Sequence, residues 1–183
     1  MMKIMAISGS LRDSSFNTAI LRTMAERAPE GVEITLTDIS ALPFYNEDAD
    51  VDGGPSVVQS FKADIAAADA LLIATPEYNY SVPGVLKNAI DWASRPGYKS
   101  VLKDKHVALL SASMAGTGGV RAQQHLKNVF MATLSRVYTA PEVVVGRAQD
   151  MVEDGRVTDA TTLKFLDRLL TGFVAEVTAG KSV

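Results

Sequence analysis

The chain predicts a doubly wound α/β fold, a five-stranded parallel sheet with helices on both faces. Three observations carry this. Short apolar runs such as Ile4-Met5-Ala6-Ile7 and Ala70-Leu71-Leu72-Ile73-Ala74 read as strands covered on both sides. Segments with apolar residues three and four apart separate those runs. Strand and helix alternate along the whole length without an internal repeat, the pattern of a parallel sheet joined by crossover helices.

Lys3 to Ser8 is the first strand, and Phe16, Ile20, Leu21, Met24 and Ala28 then recur at helical spacing until Pro29-Glu30-Gly31. Val32, Ile34 and Leu36 alternate with Glu33, Thr35 and Thr37, a period of two suited to a half-covered strand near the sheet edge. Residues 38–55 have prolines near their margins and carry Glu47, Asp48, Asp50 and Asp52, which describes a long surface loop. Ser56 to Ala68 is a helix with Val57, Val58, Phe61 and Ile65 on one face, and it leads into the third strand, Ala70 to Thr75. A helix over Val85 to Ser94 carries Leu86, Ala89, Ile90 and Ala93. The fourth strand is His106 to Ser111, followed by a helix over Val120 to Leu134. Val137 to Val145 is the fifth strand, with Pro141 limiting where it pairs. After a turn at Glu153-Asp154-Gly155, Leu163, Leu166, Leu169, Leu170, Phe173, Val174 and Val177 mark a C-terminal helix.

Composition narrows the chemistry. With 183 residues, 47% apolar and 21% charged, the chain suits a single globular domain spanning 1–183. Its 18 basic and 21 acidic residues are mixed, a formal net charge of −3 without the basic footprint that nucleic acid requires. The absence of cysteine excludes disulfides, thiolate nucleophiles, iron–sulfur clusters and cysteine zinc sites, so redox chemistry would need a bound cofactor. No basic leader and no membrane-length apolar run stands out, so the expected location is cytoplasmic, with no membrane partner. Asp48-x-Asp50-x-Asp52-Gly53 starts like a calcium loop, but Gln59 stands at the twelfth position and Pro55 interrupts it. His106 and His125 lack neighbouring ligands in the sequence, and both read as structural; no metal site is expected.

In a doubly wound fold, ligands bind beyond the carboxyl ends of the strands, at the switch in strand order. The loop Ser8-Gly9-Ser10-Leu11-Arg12-Asp13-Ser14-Ser15-Phe16-Asn17 runs from strand to helix and leaves N–H groups free at the positive end of the helix dipole. Ser10, Ser15 and Asn17 add side-chain donors, Arg12 adds a cation, and Gly9 allows close backbone approach. An ordinary turn with Ser15 as N-cap would look the same at this point. The loop matches neither G-x-x-x-x-G-K-[ST] nor G-x-G-x-x-G. After the third strand, Thr75-Pro76-Glu77-Tyr78-Asn79-Tyr80-Ser81-Val82-Pro83-Gly84 offers two flat aromatic faces, and Asn79 can donate and accept at a heterocycle edge. Surface tyrosines covering apolar side chains are the plainer reading. The loop after the fourth strand, Ser111 to Gly119, holds three glycines that permit close approach to whatever the other loops hold.

Three motifs together resemble the NAD(P)H-dependent FMN reductases of flavodoxin-like fold, the group of quinone, azo-dye, chromate and ferric reductases. They are Gly9-Ser10-Leu11-Arg12-x-x-Ser15-x-Asn17, Pro76-Glu77-Tyr78-Asn79-Tyr80-Ser81 and Lys87-Asn88-Ala89-Ile90-Asp91-Trp92. The resemblance spans residues 3 to about 145 and transfers nothing to 146–183. It implies bound FMN, with Ser10, Arg12, Ser15, Phe16 and Asn17 at the phosphate and Pro76, Glu77, Tyr78, Asn79 and Tyr80 along the ring. Ser113 and Gly116 would close the ring's other side. It also implies NADH or NADPH as co-substrate and a homodimer, with tetramers in some members.

The expected function is an FMN-containing NAD(P)H-dependent oxidoreductase that passes electrons to quinones or other small acceptors such as flavins, azo dyes, chromate or ferric chelates, by ping-pong hydride transfer. The chemistry would be carried by the flavin, with no catalytic side chain. The alternative is a flavodoxin-type electron carrier without nicotinamide turnover. Such carriers are strongly acidic for docking, and a net charge of −3 with 18 basic residues favours the enzyme. Tyr80 and Arg95 are the candidate substrate contacts. Trp92 and the two tyrosines, read as more aromatic surface than one domain covers, support the dimer.

Overall fold

The structure, a computed structural model, describes residues 1–180. The last three residues of the expected 1–183 span lie outside the described residues. Strands β1 (Met2–Ser8), β2 (Val32–Thr37), β3 (Ala70–Thr75) and β4 (His106–Ala112) pair in parallel in the order β2-β1-β3-β4, with β5 (Arg136–Val137) and β6 (Val143–Val145) together completing the fifth position beside β4. The expected fifth strand is therefore present in two pieces. Val107 pairs with Val137 and Leu110 with Val143, so five residues of the edge strand stand opposite two of β4. Pro141 lies in that excursion, where its missing N–H costs no ladder bond.

Alternation along the strands builds the two faces. Ile4 and Ala6 point to one side, where helices α1 (Phe16–Glu26) and α5 (Ala160–Gly180) supply Ile20, Leu21, Met24, Leu166, Leu170 and Phe173. Met5 and Ile7 point to the other, where α2 (Ser56–Ala67), α3 (Gly84–Ala93) and α4 (Val120–Ala132) supply Phe61, Ile65, Leu86, Ile90, Leu126 and Phe130. β3 is buried along its whole length, as its unbroken apolar sequence requires. None of the described helices is long and apolar enough to cross a membrane.

Two regions depart from expectation. Trp92 is not presented to a partner: it is fully buried, its Nε1 donating to the Pro43 carbonyl at 2.8 Å and its ring standing edge-on to Tyr45. The long loop does this. Asn88 on α3 accepts from the Tyr45 N–H at 2.8 Å and donates to Pro43 at 2.9 Å, so residues 43–54 form a cover over α3. Second, the turn at Asp154-Gly155 closes a hairpin of β7 (Val152–Glu153) and β8 (Arg156–Val157). Asp154 and Gly155 both have positive φ, the geometry an Asp-Gly pair favours. Val157 N–H donates to Thr23 Oγ1 at 3.0 Å, which seats this hairpin on α1.

Candidate cofactor site

The connection from β1 leads to β2 on one side, while β3 lies on the other, so a crevice opens at the carboxyl end of β1. Three loops meet there, residues 9–15, 76–83 and 113–119. The sequence-predicted residues of the first loop divide into two groups.

Ser10, Ser15 and Arg12 shape the loop itself. Ser15 is the N-cap of α1, its hydroxyl accepting from the Thr18 N–H at 3.2 Å. Ser10 is buried, and its Oγ accepts from the Arg12 N–H at 3.4 Å. The backbone N–H groups of Leu11, Asp13, Ser14, Phe16 and Asn17 find no acceptor among the described residues. They collect at the positive end of α1, which is the composition of an anion cradle. The exposed Arg12 guanidinium stands at its rim, donating to Ser14 Oγ at 3.2 Å and lying 5.9 Å from the centre of the half-buried Phe16 ring.

Asn17 and Gly9 instead join the loops. The buried Asn17 carboxamide donates to the Ala112 carbonyl at 3.1 Å and accepts from the Ala112 N–H at 3.0 Å. A Cβ on Gly9 would lie 2.9 Å from Thr75 Oγ1 and 3.1 Å from Leu86 Cδ2. Glycine is thus required here by the closeness of the second loop.

The second loop is a tight hairpin. Tyr78 and Ser81 exchange backbone hydrogen bonds, each at 3.0 Å, around Asn79 and Tyr80 at φ of +49° and +63°. Positive φ at both corner residues makes a type I′ turn, in which Asn is at ease and Tyr is strained. Tyr78 and Tyr80 are exposed, Tyr80 by 67%. Helix α4 holds the hairpin at three points. Glu77 accepts from the Arg121 N–H at 3.0 Å and from its Nη1 at 2.8 Å, an acid at the first turn of a helix. The Arg121 guanidinium also lies 4.3 Å from the Tyr80 ring centre. One turn on, His125 Nδ1 is 2.9 Å from Ser81 Oγ.

In the third loop, Ser113 N–H donates to Val145 O at 3.0 Å and Ser113 O accepts from the Ala148 N–H at 3.0 Å, fixing the backbone. Ser113 Oγ accepts from the Ala115 N–H at 3.2 Å. Gly118 and Gly119 have positive φ and pack tightly against Val144 and Ser111, so both serve the turn. Gly116 differs, since nothing lies within 4 Å of where its Cβ would be. Pro76 abuts Gly9, closing the floor between the first two loops.

The chain does not bring Arg95 to this cluster. It follows the ten-residue α3, about 15 Å along the helix from the hairpin end, and its guanidinium lies 5.1 Å from the Tyr45 ring centre. Conversely, sequence reasoning passed over Arg121 and gave His125 no part at the site. The signal for Arg121 was slight: a cation two residues beyond the glycine-rich loop, 44 residues from the Glu77 it pairs with.

A family model for NADPH-dependent FMN reductases matches residues 2–150. The chain is 44% identical over 169 residues to an NAD(P)H-dependent FMN reductase of Pseudomonas aeruginosa, covering 92% of this chain and 91% of the relative. It is 39% identical to a 2-hydroxy-1,4-benzoquinone reductase of a Burkholderia species, covering 96% of each. The solved structure of the flavoenzyme NAD(P)H:(acceptor) oxidoreductase FerB from Paracoccus denitrificans superposes with a TM-score of 0.88 at 35% identity, covering 98% of both chains.

Proposed function

The chain belongs to the NADPH-dependent FMN reductase family, and we propose that its three strand-end loops hold FMN and that quinones are the acceptors it reduces. By that kinship it is an NAD(P)H-dependent FMN and quinone reductase. The observation that carries the flavin assignment is the set of unpaired N–H groups from Leu11 to Asn17, beside Arg12 and one loop away from the tyrosine hairpin. That set fits a terminal phosphomonoester on the cradle, with Ser10, Arg12 and Ser15 around it and Phe16 supporting Arg12. Asn17 positions the cradle through Ala112. Pro76, Tyr78, Asn79 and Tyr80 flank the ring, Glu77 fixes their hairpin to α4, and Ser113 and Gly116 bound the opposite side.

When bound, FMN accepts hydride from the nicotinamide and delivers electrons to the acceptor; the protein orients and encloses both. Tyr80, exposed beside the ring position, offers the face on which nicotinamide and quinone take turns. Arg95 can meet the nicotinamide phosphates only from a second copy of the chain. Support for a homodimer comes from Phe44, Tyr80 and Tyr98, which are 87%, 67% and 73% exposed, and no longer from Trp92.

Five measurements test this reading. The purified chain should be yellow, heat should release FMN rather than FAD, and NAD(P)H oxidation should start when quinone is added. A colourless chain that binds no added FMN overturns it. Arg95→Ala should raise the nicotinamide KM without changing FMN affinity, and sedimentation at micromolar concentration should give a dimer.

A further inference from the structure

A second cavity, of about 400 Å3, lies on the far flank of the first loop, between it and the end of β2. We infer that this cavity is an adenylate subsite, taking the AMP end of a dinucleotide whose other end reaches the tyrosine hairpin. The inference rests on the flavin reading of the hairpin given above. It shares the wall of the cradle at Arg12 and Asp13 and adds Thr18, Arg22, Leu36 and Asp38, which the flavin site does not use.

Each part of an adenylate finds a matching surface. Leu36 and Ile39 give apolar wall for a purine. Asp38 at the end of β2 receives the Ser40 N–H at 2.9 Å and the Ser40 hydroxyl at 2.7 Å, and these bonds hold its carboxyl below the ordinary aspartate range. A fixed carboxylate with lone pairs still free is the acceptor that a ribose diol needs, and an acid at the end of β2 has this use in dinucleotide folds. Thr18 and Arg22, four apart on α1, share the face that lines the cavity. Arg22 has no ion-pair partner among the described residues, which leaves its guanidinium for a phosphate.

Charge balance favours a nucleotide over a bare anion. Asp13 and Asp38 line the cavity with Arg22, Arg12 serving the flavin phosphate, so a free phosphate would face two carboxylates, whereas a nucleotide turns its diol to one of them. The placement also suits a molecule with two ends. Two interstrand spacings, about 10 Å, separate β2 from β3, whose carboxyl end carries the hairpin, and the phosphate loop lies between. An extended dinucleotide bridges a gap of that order. The AMP end of NAD(P)H and the AMP half of FAD present the same chemistry, and the test separates them.

The test titrates 5′-AMP into the FMN-loaded protein by calorimetry, with Arg22→Gln, Asp38→Asn and the rescue variant Arg22→Lys. One AMP should bind, at least tenfold more weakly in the first two variants and near wild type in the third. If the source is the nicotinamide, Arg22→Gln also raises the NAD(P)H KM about tenfold and leaves kcat and the quinone KM alone. If the source is FAD, that KM is unchanged, and the variants lower the affinity of the apoprotein for FAD relative to FMN. AMP that fails to bind, or binds equally to all variants, overturns the subsite. Flavin absorbance on the same samples keeps the two readings apart. A chain that holds FMN but not AMP loses the subsite alone, and one that binds AMP but not FMN loses the flavin assignment.

Discussion

The Asn17 carboxamide and the Ala112 peptide form a closed pair, donating at 3.1 Å and accepting at 3.0 Å across the crevice between α1 and the end of β4. Both residues are buried. The pair fixes the distance between the anion cradle and the third loop, so its loss should be felt first in stability. Asn17→Ala removes two hydrogen bonds and leaves two buried backbone groups unpaired, a cost of about 2–4 kcal/mol. For a chain of this size, that lowers the apoprotein Tm by roughly 5–15 °C in calorimetry. An unchanged apoprotein Tm, with flavin affinity lost, would return Asn17 to direct contact with the phosphate.

Arg12 should behave in the opposite way. Its guanidinium is exposed and, among the described residues, meets Ser14 and Phe16 alone, so the fold does not depend on it. Removing a charge-assisted bond to phosphate costs about 1.5–3 kcal/mol. Arg12→Ala should therefore weaken FMN binding by roughly 10- to 150-fold in a fluorescence titration, while the apoprotein Tm stays at the wild-type value. Wild-type affinity in this variant would remove Arg12 from the cradle.

The contrast between Arg12 and Asn17 marks what the sequence could and could not convey. Strand periodicity and apolar runs placed the layers, because burial on one or both faces leaves a direct trace in the order of residues. The loops that would meet were also legible, since parallel topology puts the carboxyl ends of β1, β3 and β4 side by side. The partner of each side chain was not. Asn17 lies 95 residues from Ala112 and Glu77 lies 44 from Arg121, and no local pattern encodes such pairs. Trp92 illustrates the same limit. Its burial depends on Pro43, Tyr45 and Gly54, in a stretch whose acids and prolines read only as solvated loop. The interruption of the edge strand was foreshadowed by Pro141, but the number of residues set aside follows from register against β4.

Glu77 and Arg121 should be energetically coupled through the hairpin. The Glu77 side chain is 10% exposed and the Arg121 side chain 43%, so solvent screens the pair from one side only. A double-mutant cycle of Glu77→Gln and Arg121→Met, read on FMN affinity, should give a coupling of about 1 kcal/mol. Arg121→Met should further raise the quinone KM, because Tyr80 loses the cation beneath its strained turn. Additive effects of the two substitutions would show that the hairpin holds its shape without this link.

Helix α5 is tied to α1 by Arg27 and Asp167, and this tie should depend on pH. Hydrogen bonds from Arg27 hold the Asp167 carboxyl below the ordinary aspartate range. A carboxyl with a lowered folded-state pKa contributes stability that is present above its unfolded value, about 3.9, and is lost as pH falls through the folded value. Wild type should therefore have the higher Tm than Asp167→Asn at pH 7, and the difference should shrink as the pH falls below about 3.9 and vanish once it is below the folded value. The difference should be small, since both side chains are about half exposed, and it should shrink in high salt. A difference that persists at low pH would mean that Asp167 acts through packing.

On the proposed flavin reading, nicotinamide and quinone would share one face of the ring, and this would set the kinetic order. The floor is closed where Pro76 meets the Gly9 backbone, and Gly118 and Gly119 are packed against Val144 and Ser111. Tyr78 and Tyr80 are exposed, and nothing lies within 4 Å of where a Gly116 Cβ would be. With FMN placed as proposed, nicotinamide and quinone would both need the ring face beside Tyr80, which would admit one planar molecule at a time. Oxidised nicotinamide should have to leave before the quinone enters. Double-reciprocal plots against NAD(P)H at several quinone concentrations should then be parallel, and high quinone should inhibit competitively against NAD(P)H. Tyr80→Ala should raise both KM values together, because both molecules rest on the same face, whereas Arg22→Gln should move at most the nicotinamide value. Intersecting lines would require a ternary complex, and would overturn the shared face.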